Sequence, residues 1–181
     1  MSRNVNIVIL CEDRQHEAFA RRFLAQAGKS YRILRVEVSP RGRGSGEQFV
    51  RERFAKELAY YRARQHRVEQ ALIVVIDADR RAVAERVEQV DAAAVEGNQE
   101  RRRPNERVAV FVPARNIETW IAYLDGQSVN ENDIYPRLHR ERDCQPHVDR
   151  LREMCQQGAL RQPAPSALEA ACNEYRLRIQ A

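Results

Sequence analysis

Acidic residues follow three apolar stretches of the sequence at positions where they could act together. Glu12 and Asp13 come just after VNIVIL, and Asp77 and Asp79 come just after LIVVI. Glu118 lies shortly after VAVFV. Carboxylate oxygens are the ligands that Mg²⁺ and Mn²⁺ prefer, and a bound divalent ion removes the repulsion between neighbouring carboxylates. Because such an ion can activate a nucleophile and stabilise the leaving oxygen of a phosphodiester, the pattern predicts metal-dependent phosphodiester chemistry.

The spacing of Asp77 and Asp79 bears on whether both can reach one ion. Successive side chains of a strand point to opposite faces, so we expect both aspartates on one side and Ala78 on the other. A structural alternative stays open for each acid. An aspartate at a strand end commonly caps the next helix, and Glu118 suits the first turn of a helix, where the dipole favours an acid.

Asp13 and Glu17 are two further candidate metal ligands near the first apolar stretch. Glu17 lies one turn into the helix that is predicted to follow. His16 precedes Glu17 and could assist a site there. A histidine in the first turn of a helix is usually on the surface, however, and we expect a surface position for His16.

The elements that must position these acids alternate between strand and helix over about the first 125 residues. Apolar runs predict strands at residues 5–10, 31–38, 72–76 and 108–112, with amphipathic helices after them. This alternation predicts an α/β fold with a mostly parallel four-stranded sheet covered by helices. Because the strand-to-helix junctions of a parallel sheet share one edge, we expect the acids to converge there.

The rest of the chain predicts a helical C-terminal extension. Residues 126–181 contain no convincing strand, and short helices are predicted around residues 147–155 and 166–178. We expect an α/β domain at residues 1–125 and a C-terminal extension packed on the same core. In the last predicted helix of the domain, Trp120 shares a helical face with other apolar residues, which predicts core packing.

Composition limits the class of protein. The 181 residues are 43% hydrophobic and 31% charged, which is typical of a globular chain. No apolar run approaches the roughly 20 residues that span a bilayer, so we expect a cytoplasmic protein without a membrane partner. The four cysteines lack CxxC spacing and are predicted to be reduced and structural.

A formal net charge of +5 permits a polyanionic partner such as DNA or RNA. Several arginines flank the acids or lie in the Gly-rich loop SPRGRGSG, where they could hold phosphates. These candidate nucleic-acid-binding residues are Arg14, Arg41, Arg43, Arg80, Arg81 and Arg115. A solvated crossover loop is an equal alternative for SPRGRGSG. The arginines at 101–103 are predicted to be a solvated connector.

Three segments together resemble the Toprim domain family. They are ILCEDRQHEAF, VVIDAD and VFVPARNIETWIAYL, and the last resembles small stand-alone Toprim-like proteins of bacterial defence systems. The resemblance covers about residues 5–125 and implies a Toprim-like, Rossmann-like sheet. It leaves the C-terminal extension unexplained.

The resemblance implies a role for each acid. Glu12 is similar to the Toprim glutamate that acts as general acid/base or metal ligand, and Asp77 and Asp79 are similar to its metal-binding DxD. Glu118 is similar to a further acid in nucleases of the overcoming-lysogenization-defect (OLD) type. Many Toprim domains have glycine where this chain has Asp13, which leaves open whether Glu12 or Asp13 takes the first role.

A nuclease is the Toprim activity that a chain of 181 residues can accommodate, since topoisomerases and primases need further domains. The resemblance implies an Mg²⁺- or Mn²⁺-dependent nuclease of an antiphage system, with an ATPase partner on a separate chain. A homodimer would let such a short nuclease reach two strands. The alternatives are a non-catalytic Toprim-like binding module and a phosphoacceptor receiver domain. The receiver's lysine after a fifth strand is missing, because the tail contains no lysine.

Overall fold

The computed structural model describes residues 4–26 and 31–180. Its centre is a sheet of four strands in the order β2-β1-β3-β4, with every neighbouring pair parallel. The strands are β1 (Val5–Cys11), β2 (Tyr31–Val38), β3 (Gln70–Val75) and β4 (Val108–Phe111). The prediction of an α/β fold with a parallel four-stranded sheet is confirmed.

Helices cover both faces of this sheet. They are α1 (Arg14–Gln26), α2 (Gly46–Arg64), α3 (Val83–Glu96), α4 (Glu118–Leu124), α5 (Gln145–Gln157) and α6 (Ser166–Tyr175), with a 3₁₀ turn at Glu141–Cys144 and a π-helical turn at Arg176–Gln180. Across residues 4–26 and 31–180, no helix is both long enough and apolar enough to cross a bilayer.

The apolar run of β3 places it between two hydrophobic layers. Leu72 and Val74 pack with residues of α2 and α3 on one face. Ile73 and Val75 pack on the other face with residues of α1 and of the C-terminal segment. Since alternate side chains of a strand point to opposite faces, a central strand covered on both sides needs apolar residues throughout.

The C-terminal helices pack on the same core. Trp120 of α4 is 3% exposed, as expected from its helical face, and shares a cluster with Phe19 of α1. Val148 of α5 and Leu168 of α6 belong to that cluster. The extension therefore covers α1 and α4, which flank the edge of the sheet where the acids lie.

Arg102 departs from the prediction of a solvated connector at residues 101–103. Its side chain is 5% exposed, and it donates hydrogen bonds to the carboxylates of Asp91 and Glu174 and to the carbonyl of Val108. The prediction was wrong for Arg102, because the Arg102 side chain connects α3 and α6 to the start of β4. It holds for the neighbouring Arg101, which is exposed and paired with exposed Glu88.

We expect Arg102→Met to lower the free energy of unfolding by about 3 kcal/mol, since it leaves the half-buried carboxylate of Asp91 without its cation and removes one of the two cations that pair with Glu174. Arg101→Met is the matched control, and losing its exposed ion pair should cost about 0.5 kcal/mol or less. Urea unfolding followed by circular dichroism measures both. Equal stability of the two variants would contradict the docking role of Arg102.

Candidate active site at the carboxyl edge of the sheet

The segments after β3 and β4 stay paired beyond the ends of the strands. The Ala78 N–H donates to the Pro113 carbonyl at 2.9 Å, and the Asp79 N–H donates to the Arg115 carbonyl at 3.0 Å. These bonds fix the Asp77–Asp79 segment beside the loop that leads to α4. The topology therefore places the acids after β1, β3 and β4 at one edge, as a parallel sheet requires.

Glu12 and Asp77 are in direct contact. The Asp77 N–H donates to Glu12 Oε1 at 2.6 Å. Burial, followed by the charge of Asp77, raises the pKa of Glu12 to about 7. A carboxyl group that titrates near neutrality can both accept and donate a proton, which is what a general acid/base needs.

Gly46 lets α2 begin against Glu12. A Cβ atom added at Gly46 would lie 2.9 Å from Glu12 Cβ, closer than real contacts allow, and at a tight 3.1 Å from Glu12 Oε2. Any larger residue would displace the Glu12 side chain. The close approach of α2 therefore helps to bury Glu12 and to fix its orientation.

His16 is fully buried and pairs with Asp77, so its predicted surface position was wrong. His16 Nε2 lies 3.0 Å from Asp77 Oδ1, and the His16 N–H donates to Asp13 Oδ1 at 2.9 Å. Asp13 thus caps the start of α1, whereas Glu12 contacts Asp77. Burial by itself lowers the pKa of His16, but the charge and hydrogen bond of Asp77 outweigh it and raise that pKa to about 10.

Asp79 pairs with Arg86, whereas Asp77 pairs with His16. It has a left-handed backbone with φ of 55°, its side chain is 56% exposed, and it accepts a hydrogen bond from Arg86 at 3.1 Å. Strand alternation fails here as a guide to Asp77 and Asp79, because β3 ends at Val75 and the backbone is no longer extended. Burial and then the charge of Asp77 raise the pKa of Asp79.

Arg86 links Asp79 to the start of α2. Its buried guanidinium also donates to Glu47 Oε2 at 2.8 Å. Glu47 lies in the first turn of α2, next to Gly46. One buried cation therefore holds together the segment after β3, the start of α2 and α3.

Glu118 begins α4 and is 3% exposed. Burial, followed by the charges of Asp77 and Asp13, raises its pKa. Arg137 Nε lies 3.6 Å from Glu118 Oε1, and the Arg137 side chain is mostly exposed. Glu118 and Glu12 line one cleft of about 710 Å³.

Arginines surround the acids of this cleft. Arg14, Arg41 and Arg137 line it together with Gly42 and Gly44 of the loop before α2. A second cleft of about 500 Å³ contains Asp79 together with three of the predicted nucleic-acid-binding residues, which are Arg80, Arg81 and Arg115. Arg43 is exposed in the loop before α2.

Glu17 lies apart from this set of contacts. It accepts hydrogen bonds from Arg14 at 2.6 Å and from Arg21 at 2.8 Å. Although burial acts in the opposite direction, these arginines lower its pKa. Glu17 is thus held as an ion-paired acid of the α1 surface.

The donor set fits one mode of metal binding. Among the residues that the structure describes, no three His, Cys, Asp or Glu side chains are grouped so as to hold one ion. Mg²⁺ usually binds through one or two carboxylates and keeps waters or substrate phosphates as its other ligands. Glu12 and Glu118 on one cleft, with raised pKa values, match that mode, because a cation would stabilise their charged forms.

Sequence reasoning missed His16, Arg86 and Gly46. A signal existed for His16, since Phe19 and Ala20, three and four residues later, lie on the buried face of α1. The same reasoning does not reveal which acid a buried arginine such as Arg86 will pair with. That contact depends on how α2 and α3 pack.

We expect Glu12→Gln to stabilise the protein at pH 8 and not at pH 5. The folded-state pKa of about 7 exceeds the ordinary value of 4.5, so the wild type loses stability as the pH rises through about 7. Glutamine keeps the acceptor for Asp77 N–H without the charge, and the gain at pH 8 should be about 2 kcal/mol. Urea unfolding at both values checks this. Glu52→Gln, at an exposed position of α2, is the control, and an equal effect of Glu12→Gln at pH 5 and pH 8 would contradict the raised pKa.

We expect His16→Gln to lower the free energy of unfolding at pH 6 by about 3 kcal/mol, because it leaves the buried carboxylate of Asp77 without its cation. The folded-state pKa of His16 is raised, so its contribution is complete below the ordinary value of 6.5 and is lost as the pH rises through about 10. The deficit of His16→Gln should therefore shrink between pH 6 and pH 10. His66→Gln, at an exposed histidine, is the control. A deficit independent of pH would show that the ion pair is absent.

No protein-family model matches the chain, and no curated protein and no solved structure matches it either. The Toprim resemblance thus rests on the three sequence segments that carry it. The geometry of the edge residues is therefore the main support for any function assigned to the chain.

Proposed function

We propose that the chain is a divalent-metal-dependent nuclease with a Toprim-like fold, which hydrolyses phosphodiester bonds in the cleft lined by Glu12 and Glu118. One observation carries the proposal. The half-buried carboxyl group of Glu12 and the buried one of Glu118, both with raised pKa values, line one cleft whose other lining residues include Arg14, Arg41 and Arg137. Acids that favour a cation, next to arginines that favour phosphate, suit a metal-assisted reaction of a polyanion.

Mg²⁺ or Mn²⁺ is the proposed cofactor, and Glu12, Asp77, Asp79 and Glu118 are the acids that the sequence predicts for it. When bound, such an ion supplies charge stabilisation for the phosphate and its leaving oxygen. Glu12 and Glu118 are the best placed, because both line the cleft. Asp77 acts on both through its charge, which raises their pKa values.

Glu12 is the proposed general acid/base. In hydrolysis a water oxygen bonds to phosphorus, the bond to the leaving sugar oxygen breaks, and that oxygen takes up a proton. When the ion is bound at Glu118 and not at Glu12, a Glu12 carboxyl group with a pKa of about 7 can accept the proton of the water and return one to the leaving oxygen. His16 acts as a positioning residue, since it holds the carboxylate of Asp77 from inside the fold.

Exposed arginines at the mouth of the cleft are the proposed contacts for the nucleic-acid backbone. The side chain of Arg41 is 90% exposed, and its nearest acid, Glu141, lies 3.9 Å away. Gly42 and Gly44 have positive φ angles of 74° and 69°, which keeps the loop turned over the cleft. Contacts to phosphate carry no base information, so this arrangement supports binding without sequence preference.

A second candidate is a non-catalytic binding module. The observation that favours it is that Asp77 and Asp79 already have cationic partners, His16 and Arg86. Acids neutralised in this way would not need a metal ion to keep the fold stable. Such a module would bind nucleic acid or a protein through the arginines of the cleft without cleaving it.

The resemblance, rather than the geometry, supports the wider setting. It suggests an effector of an antiphage defence system in the cytoplasm, with a separate ATPase chain as partner and a homodimer as the working form. The nuclease proposal does not require any of these. They can fail while the chemistry at Glu12 and Glu118 stands.

We expect the protein to cleave plasmid DNA, single-stranded DNA or tRNA when Mg²⁺ or Mn²⁺ is present, and to stop when EDTA removes the ion. Glu12→Gln, Asp77→Asn and Glu118→Gln should each lower the rate by about 100-fold or more, since each removes charge that would hold the ion. Glu153→Gln, at an exposed acid of α5, is the matched control and should keep the wild-type rate. Gel electrophoresis of the products measures all four.

Two results would overturn the nuclease proposal. Cleavage that persists at the wild-type rate in Glu12→Gln and Asp77→Asn would place the activity elsewhere or in a contaminant. Metal-independent binding of nucleic acid without cleavage, together with loss of binding in Arg41→Ala and Arg137→Ala, would instead favour the binding module.

A further inference from the structure

Two cysteines on neighbouring helices lie side by side, far from the acids in sequence. Cys155 belongs to α5 and Cys172 to α6, and their sulfur atoms are 3.9 Å apart. All four cysteines are free thiols. Cys11 and Cys144 are buried, whereas Cys155 is exposed and Cys172 is half-buried. The prediction of structural cysteines therefore suits Cys11 and Cys144 and leaves this pair unexplained.

The surroundings of the pair favour a reactive thiol. Both cysteines line an open cleft of about 570 Å³, together with Arg152 and Arg176. The hydrogen bond with Cys172, and then the positive charge of Arg176, lower the pKa of Cys155 against the effect of burial. The same hydrogen bond and burial raise the pKa of Cys172. Cys155 is also the exposed member of the pair, so it is the thiol that a reactant in the cleft would reach first.

We propose that Cys155 and Cys172 form a reversible disulfide when the protein meets hydrogen peroxide. The Cys155 sulfur attacks one peroxide oxygen, the O–O bond breaks, and water leaves after protonation, which gives a sulfenic acid. The Cys172 sulfur then attacks the Cys155 sulfur, the S–OH bond breaks, and a second water leaves. The two thiols together lose two electrons and two protons, and the peroxide is reduced by two electrons.

The geometry requires only a local movement. A disulfide needs its sulfurs at about 2.05 Å, so the pair must close by roughly 2 Å, within reach of side-chain rotation and a small helix shift. The open cleft gives a peroxide access to Cys155. Disulfides that form inside cells are usually transient and redox-sensing, and an exposed pair of this kind fits that class.

The disulfide would join the two helices that cover α1. Cys155 and Cys172 also border a small apolar pocket of about 60 Å³, whose lining includes His16 and Trp120. Oxidation would thus link α5 to α6, which pack against α1, the helix that contains His16. The proposal does not rest on the nuclease activity, and either can fail without the other.

The test treats the full chain with hydrogen peroxide and then alkylates the remaining thiols under denaturing conditions for intact mass and peptide mapping. We expect two alkylated thiols in place of four, a Cys155–Cys172 peptide pair, and recovery of all four thiols after dithiothreitol. In Cys172→Ser, the Cys155 sulfenic acid should persist and react with dimedone. In Cys155→Ser, Cys172 should stay reduced. The oxidised wild type should also unfold at a higher temperature than the reduced protein.

Three outcomes would overturn the proposal. One is that four alkylated thiols remain after peroxide treatment of a protein that circular dichroism shows to be folded. Another is a covalent dimer through Cys155 with Cys172 still alkylated. The third is oxidation of Cys172 in Cys155→Ser at the wild-type rate, because it would show that Cys155 is not the attacking thiol.

Discussion

The buried charge of Asp77 is the constraint on which the rest of the site depends. Asp77 lies two residues beyond the end of β3, where its side chain is largely withdrawn from water. Its charge helps to raise the pKa values of Glu12, Asp79 and Glu118, and it is the reason that buried His16 keeps a proton. A fold that brings acids to one edge must compensate them, since unpaired buried carboxylates are costly.

The protein meets this constraint with cations from two directions. His16 approaches Asp77 from α1, and Arg86 approaches Asp79 from α3. Glu12 is the exception, since its contact with Asp77 is a backbone hydrogen bond and not an ion pair. Glu118 has Arg137, but at 3.6 Å and from an exposed side chain. The acids that face the cleft are therefore the least compensated, which is where a divalent ion and a phosphate group would have the largest effect.

Much of this arrangement is predictable from local patterns in the sequence. The apolar runs predict the four strands, and the parallel topology then brings Glu12, Asp77 and Glu118 to one edge. The partners of these acids could not be predicted, because they depend on how helices pack across the sheet rather than on spacing. From the sequence, Arg86 is expected on the exposed face of an amphipathic helix, but the packing of α2 on α3 buries it. Asp79 is expected to follow strand alternation, but its backbone is left-handed. The ion pair of Arg102 with Glu174, which connects the C-terminal segment to β4, could not be predicted either, because it also depends on how the helices pack.

The central claim is that a divalent ion binds at the edge formed by Glu12, Asp77 and Glu118. The most direct measurement is the line broadening of histidine ring signals by paramagnetic Mn²⁺ in the NMR spectrum. His16 contacts Asp77, whereas His66 lies between α2 and β3 at the opposite edge of the sheet. Substoichiometric Mn²⁺ should broaden the His16 signals selectively, and Glu12→Gln with Glu118→Gln should abolish the effect. Equal broadening of His16 and His66, or none at either, would contradict the metal site.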